Sequence, residues 1–179
     1  MRIGIKGLEI ERYFEGIHDG YLHEMGLQPK MDCSGNWTEG FGHAIFYNGK
    51  ILNGAENEDL ANRLSVIKTV EEAEFWLQKD NDIRAVEVEK RLKTDLKQHQ
   101  FDALMSLCYN AGFSPTIFAL INKGNAYLAN LIDFWVKHYI RSGGEIKNGL
   151  VKRRCTEAHL YLTGEVNFDA WKNYYDKLF

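Results

Sequence analysis

Proline is nearly absent from this 179-residue chain, which holds only Pro29 and Pro115, and no low-complexity tract or internal repeat is present. Collagen-like and disordered classes are therefore excluded. Cysteine is equally sparse. Cys33, Cys108 and Cys155 are an odd number with no close pair, which fits neither a disulfide framework nor a zinc knuckle. No stretch approaches the roughly 18 to 20 apolar residues that a membrane span needs. The opening MRIGIKGLEIERYFEG carries charges where an export signal would need an apolar run, so the sequence predicts no signal peptide. An excess of positive charge is also missing: 22 Lys+Arg stand against 25 Asp+Glu, a net charge of −3. Binding to a phosphate backbone rests on dense Lys and Arg, so nucleic acid is not an expected partner. What the chain does have is 45% hydrophobic and 13% aromatic residues, enough to bury a core in one compact domain with room for two lobes.

Glycine divides the chain. Many of its 16 glycines precede residue 55, marking an irregular N-terminal third before a helical remainder. Leu8, Ile10 and Phe14 give 5–14 the face of a short helix that ends at Gly16. GNWTEGFGHAIFYNGKILNG reads as short strands, and Asn48-Gly49 is a hairpin signal between 44–47 and 50–52. Leu60, Leu64 and Ile67 begin a helical period. Thr69 and Glu72 form a capping box for a long helix to about Leu92, with Val70, Ala73, Leu77, Ile83 and Val86 as its apolar residues. Phe101, Leu104, Met105, Cys108 and Ala111 predict a buried central helix over 97–111. Further helices are expected over 116–122, 126–138, 149–163 and 168–178, with Gly124, Gly143-Gly144 and Gly164 as stops. Cys108 and Cys155 fall in these helical patterns as small core residues.

Cofactor-free hydrolysis usually needs carboxylates, one to give a proton and another to hold a water or a developing cation. Most acids here, including Glu71, Glu72, Glu74, Asp80, Asp82, Glu87 and Glu89, read as solvated helix faces. Glu15 differs, since it sits at a helix end between Phe14 and Gly16, and apolar surroundings favour a proton donor. Asp32, in KMDCSGNWTEG, reads as a turn-capping residue or as a carboxylate projecting from a loop. Thr38 reads as a strand threonine or as a hydroxyl sharing a water with Asp32. His18, Asp19, His23 and Glu24 lie close together but match no H-E-x-x-H pattern, so no metal site is expected. The late aromatics Trp135, Tyr139, Trp171, Tyr174 and Tyr175 suit packing, or the stacking of a sugar ring if one is exposed.

FEG at 14–16 and the run from Asp32 to His43, DCSGNWTEGFGH, together resemble the opening of the phage-type lysozymes, the muramidases of glycoside hydrolase family 24. QFDALMSLCYNAG at 100–112 resembles that family's central helix, and GLVKRRCTEAHLYLTGE at 149–165 its Arg-rich C-terminal helix. FDAWKNY is similar to the tail of the T-even phage members. The blocks keep the family's order over nearly the whole chain. The resemblance implies Glu15 as proton donor, with Asp32 and Thr38 as the aspartate and threonine six positions apart. It implies Arg153, with Arg154 as the alternative, as a supporting cation near the acid; on spacing alone both read equally as solvated helix residues. His43 matches a family histidine with a structural role. Glu15 and Asp32 are further apart here than is usual in the family, which implies an insertion around 17–31. Without it the positions would fall on Glu24 and Lys30, but the glycines of GFGH accompany Thr38 and nothing comparable follows Glu24.

The implied fold is α+β, mostly helical and two-lobed, with a small antiparallel sheet in an N-terminal lobe of about 14–80. A helical lobe of about 81–179 takes in the helix 5–14, and a cleft lies between. The implied activity is hydrolysis of the β-1,4 bond between N-acetylmuramic acid and N-acetylglucosamine in peptidoglycan, with inversion and no cofactor. The alternatives are a lytic transglycosylase on the same bond and a non-catalytic wall-binding module. Glycan strands are the expected partner of a monomer made in the cytoplasm, with a holin as the route to the wall.

Overall fold

The computed structural model describes residues 1–17, 27–32 and 34–174. The chain forms two compact units, Met1–Phe14 with Asn81–Phe179, and Glu15–Asp80. His18, Asp19, His23 and Glu24, the close group weighed as metal ligands, all lie outside the described residues, as do Cys33 and Tyr175.

The unit Glu15–Asp80 holds the early strands. β1 (Lys30–Met31), β2 (Trp37–Glu39) and β3 (His43–Ala44) form one antiparallel sheet in that order. β4 (Phe46–Tyr47) pairs with β5 (Lys50–Ile51). The turn between them is the expected Asn48-Gly49, both at left-handed φ, 50° and 75°, as a two-residue hairpin of right-handed twist requires. α2 (Glu58–Leu64) stops before Ile67, which is buried outside any helix. A small core of Trp37, Ile45, Leu52 and Ala61 holds these pieces together.

α3 (Val70–Arg91) begins with the expected capping box: Glu72 N–H donates to Thr69 Oγ1 (3.2 Å) and Thr69 N–H to Glu72 Oε2 (3.1 Å). Its apolar pattern needs correction. Ala73, Leu77, Asn81, Ala85 and Val88 make the buried stripe, while Val70, Ile83 and Val86 are exposed. Steps of three and four residues select the first set as one face; Ile83 and Val86 fall off it, while Val70 keeps the spacing but is exposed as the first residue of the helix.

The helical unit also contains α1 (Ile5–Glu15) up to Phe14, α4 (Gln98–Ala111), α5 (Pro115–Asn122), α6 (Leu128–Lys137) and α7 (Asn148–Thr163). α4 is its axis: every residue from Phe101 to Cys108 is buried, and α4 packs chiefly on α7. Gly143-Gly144 proves to be the turn of a hairpin, β6 (Arg141–Ser142) with β7 (Glu145–Ile146), rather than a helix stop. Two glycines at positive φ serve either purpose. The helix expected over 168–178 is a single 3-10 turn, Ala170–Asn173, among the described residues. Thr156 donates to the Asn167 carbonyl (3.2 Å), and Asn167 Oδ1 accepts from Asp169 N–H (2.9 Å), an Asx turn that leads into it.

Candidate active site

Asp32 follows β1 directly, and its backbone continues the ladder by donating to the Asn36 carbonyl (2.8 Å); Gly35 N–H returns to the Asp32 carbonyl (3.0 Å) and closes the turn. The side chain is as firmly placed as the backbone. Oδ1 accepts from the N–H groups of Ser34 and Asn36, both at 2.8 Å, and Oδ2 from Asn36 Nδ2 at 3.3 Å. Asn36 is itself held by Asn53, whose Nδ2 donates to Asn36 Oδ1 (3.0 Å) and to the Ser34 carbonyl (3.2 Å). Asp32 is therefore a turn cap, half-buried. Three donors occupy three of the roughly four lone-pair sites of its carboxylate, and the site left over is on Oδ2.

Thr38 lies on β2 opposite Lys30, and its hydroxyl donates to the Lys30 carbonyl (3.2 Å). The next pair is Met31 with Trp37. Side chains alternate across a strand, so Lys30, Asp32, Asn36 and Thr38 share one face of the hairpin and Met31, Trp37 and Glu39 the other. Asp32 and Thr38 are thus diagonal neighbours, which lie about 7–8 Å apart across an antiparallel pair. The opposite face anchors the hairpin. Trp37 is a core residue whose Nε1 donates to the Gly54 carbonyl (2.8 Å). Buried Glu39 accepts from Ser65 Oγ (2.7 Å), Val66 N–H (3.1 Å) and Ile67 N–H (2.9 Å).

The glycine after Glu39 has a steric cause. Gly40 has φ 56°, and a Cβ there would stand 2.9 Å from Ile67 Cδ1 and 3.1 Å from the Cβ of Ala73. His43 ends the motif in a structural setting, with Nδ1 2.8 Å from Asp80 Oδ2 and its ring 4.4 Å from that of Trp76. Asp80 is accordingly not a merely solvated helix acid.

Glu15 is the last residue of α1 and is half-buried. The residues before it are clamped. Tyr13 stacks on Phe168 (3.9 Å), and Phe14 meets both rings edge-on (5.0 and 6.0 Å). Buried Glu11 accepts from Asn81 Nδ2 (2.5 Å). The Arg153 guanidinium lies 5.8 Å from the centre of the Phe14 ring, within cation–π range.

Arg153 and Arg154 are not solvated: their relative exposures are 2% and 0%. Arg153 Nε donates to Glu157 Oε1 (3.1 Å) and Nη2 to the Ser106 carbonyl (3.3 Å). Arg154 Nη2 donates to the same Glu157 oxygen (3.1 Å) and to Asn110 Oδ1 (3.0 Å). Sequence reasoning passed over Glu157. The signal was there, since R-R-x-x-E sets the acid three and four residues from the two arginines, on one helix face.

The structure thus brings Asp32 and Thr38 onto one hairpin face, and sets Arg153 against the residue that precedes Glu15. Among the described residues no group of three or more His, Cys, Asp or Glu is placed to hold a metal ion. A groove of about 740 Å³ in the helical unit, lined by Leu128, Ile132, Val136, Leu162 and Tyr174, contains none of these site residues.

Several known proteins are similar to this chain. The chain is 45% identical to the endolysin of Bacillus phage B103 over 100 residues, 53% of this chain and 36% of that protein. It is 29% identical to the endolysin of Bacillus phage PZA over 168 residues, 92% of this chain and 56% of that protein. The chain therefore spans about half or less of the length of these two relatives. Among solved structures, an endolysin from Escherichia coli O157:H7 phage FAHEc1 matches with a TM-score of 0.65 at 29% identity, covering 93% of this chain and 97% of that one. The family model described as phage lysozyme matches residues 22–157, a stretch that contains Asp32, Thr38 and Arg153 and begins after Glu15. With most of its length inside that match, the protein belongs to the phage lysozyme family.

Proposed function

We propose that the chain is a peptidoglycan hydrolase, a muramidase that cleaves the β-1,4 bond between N-acetylmuramic acid and N-acetylglucosamine with inversion at the anomeric carbon. In this mechanism Glu15 protonates the glycosidic oxygen as the bond breaks. A water held between the remaining lone pair of Asp32 Oδ2 and the Thr38 hydroxyl attacks the anomeric carbon from the opposite side and yields its proton to Asp32. One water is consumed per bond. The observation that carries this reading is the register of the β1–β2 hairpin, which sets Asp32 and Thr38 diagonally on one face. The relatives' name, endolysin, supports the bacterial wall as the target. Action as a monomer, released to the wall through a holin, belongs to the same proposal.

The product decides the mechanism. Digestion of purified glycan strands is followed by nuclear magnetic resonance for the anomer that appears first, and by mass spectrometry for mass gained. Inverting hydrolysis gives the α-anomer and one added water per cleaved bond. A first-formed β-anomer would replace inversion by retention, an anhydro-sugar would make the protein a lytic transglycosylase, and no cleavage would leave a wall-binding module.

A further inference from the structure

Glu157 accepts four side-chain hydrogen bonds. It is fully buried on α7. Oε1 accepts from Ser106 Oγ (2.8 Å), Arg153 Nε (3.1 Å) and Arg154 Nη2 (3.1 Å), and Oε2 from Trp135 Nε1 (3.1 Å). A carboxylate removed from water needs such partners to stay ionised, and a buried guanidinium needs a fixed anion in turn. The fork of Arg153 is pinned at one edge by Glu157 and at another by the Ser106 carbonyl, so the plane of its guanidinium is set. That guanidinium lies over the ring of Phe14, whose other neighbours are Tyr13 and Phe168. The residue after Phe14 is Glu15.

We propose that Glu157 is a positioning residue of the site: by holding Arg153 against Phe14, it fixes the end of α1 that carries the proton donor. The inference rests on the assignment of Glu15 as the acid. Glu157 itself touches no reacting atom. Its effect is on orientation, and small misplacements of a catalytic group far from any direct contact can lower a rate on the order of 10²-fold.

The test is Glu157→Gln, which keeps the shape and removes the charge, assayed on solubilised glycan strands with kcat and KM measured separately. The expected result is a kcat lower on the order of 10- to 100-fold with KM near that of the parent. Leu131→Ala serves as the control, a cavity in the same core at a side chain that gives Glu157 no hydrogen bond; it lowers the melting temperature and leaves kcat as it was. A folded Glu157→Gln protein with parental kcat overturns the proposal, as does a Leu131→Ala protein with the same kcat loss. Should Glu157→Gln fail to fold, Ser106→Ala takes its place, since it removes one donor to Oε1; a smaller loss of kcat at unchanged KM supports the proposal and a parental kcat overturns it. Glu15→Gln, run alongside, separates the two layers. Inactivity there with a parental Glu157→Gln removes only the positioning role, and parental activity of Glu15→Gln removes both.

Discussion

In the unit Glu15–Asp80, three carboxylates order the backbone; in the helical unit, Glu157 balances two buried cations. Asp32, Glu39 and Glu72 each accept from two or more backbone N–H groups. These acids stand beside small buried side-chain groups, among them Trp37, Ile45, Leu52 and Ala61. Hydrogen bonds to charged groups contribute about 1.5–3 kcal/mol each, which matters most where apolar burial is thin. The helical unit has the extensive core, from Ile3 to Tyr174, and there Glu157 faces two guanidinium groups. The difference teaches how the candidate site is built: its hairpin half is held by turn hydrogen bonds, and the arginine beside Phe14 by a buried ion network.

The largest effect that can break this comparison is a core truncation. Leu104→Ala, in the fully buried stretch of α4, is expected to cost about 2–5 kcal/mol in chemical denaturation. Leu52→Ala, in the cluster with Trp37, Ile45 and Ala61, is expected to fall at the low end of that range, and an equal or larger cost would show the hairpin unit to depend on apolar burial as much as the helical unit does. A smaller effect is expected from Gly40→Ala, where the new Cβ meets Ile67 and Ala73. Overpacking of this kind costs about 1–3 kcal/mol, and an unchanged melting temperature would show that the two neighbours yield.

The smallest effect is a dependence on alkaline pH confined to the helical unit. Burial pushes the Cys108 thiol from 9.0 up to about 12, and does the same to Cys155. A raised folded value favours the protonated form, so its stabilisation is complete below pH 9 and is lost as the pH rises through 12. For Cys108 alone the loss at pH 10 is about 1 kcal/mol. The same burial protects both thiols from iodoacetamide at pH 8, and peptide mapping is expected to find them unmodified until the protein unfolds. Rapid labelling of the native chain at either position would contradict their burial.

Much of the fold is legible in the sequence because local chemistry and tertiary packing agree. Thr69-Glu72, Asn48-Gly49 and Gly164 each announce a boundary that the structure keeps. Where one signal serves two structures, it misleads: Gly143-Gly144 suits a helix stop and a hairpin turn alike, and only the pairing partner tells them apart. The face of α3 misleads for another reason. Ile83 and Val86 are apolar yet exposed, because spacing and not hydropathy selects the residues turned inward. The site residues Glu15, Asp32, Thr38 and Arg153 stand out through their motifs, but two features required three dimensions. One is that Asp32 caps its own turn with three hydrogen bonds. The other is Glu157, an acid that looks solvated by composition and is enclosed by four donors from three helices.

The central claim is that Asp32, while capping its turn, also holds the attacking water. Asp32→Asn keeps an oxygen for the Ser34 and Asn36 N–H groups and removes the charge that accepts a proton. The account predicts that this variant melts near the parent while its rate on purified cell walls drops by about 10²-fold or more. A variant that clears the walls at the parental rate would reduce Asp32 to a turn cap and contradict the mechanism.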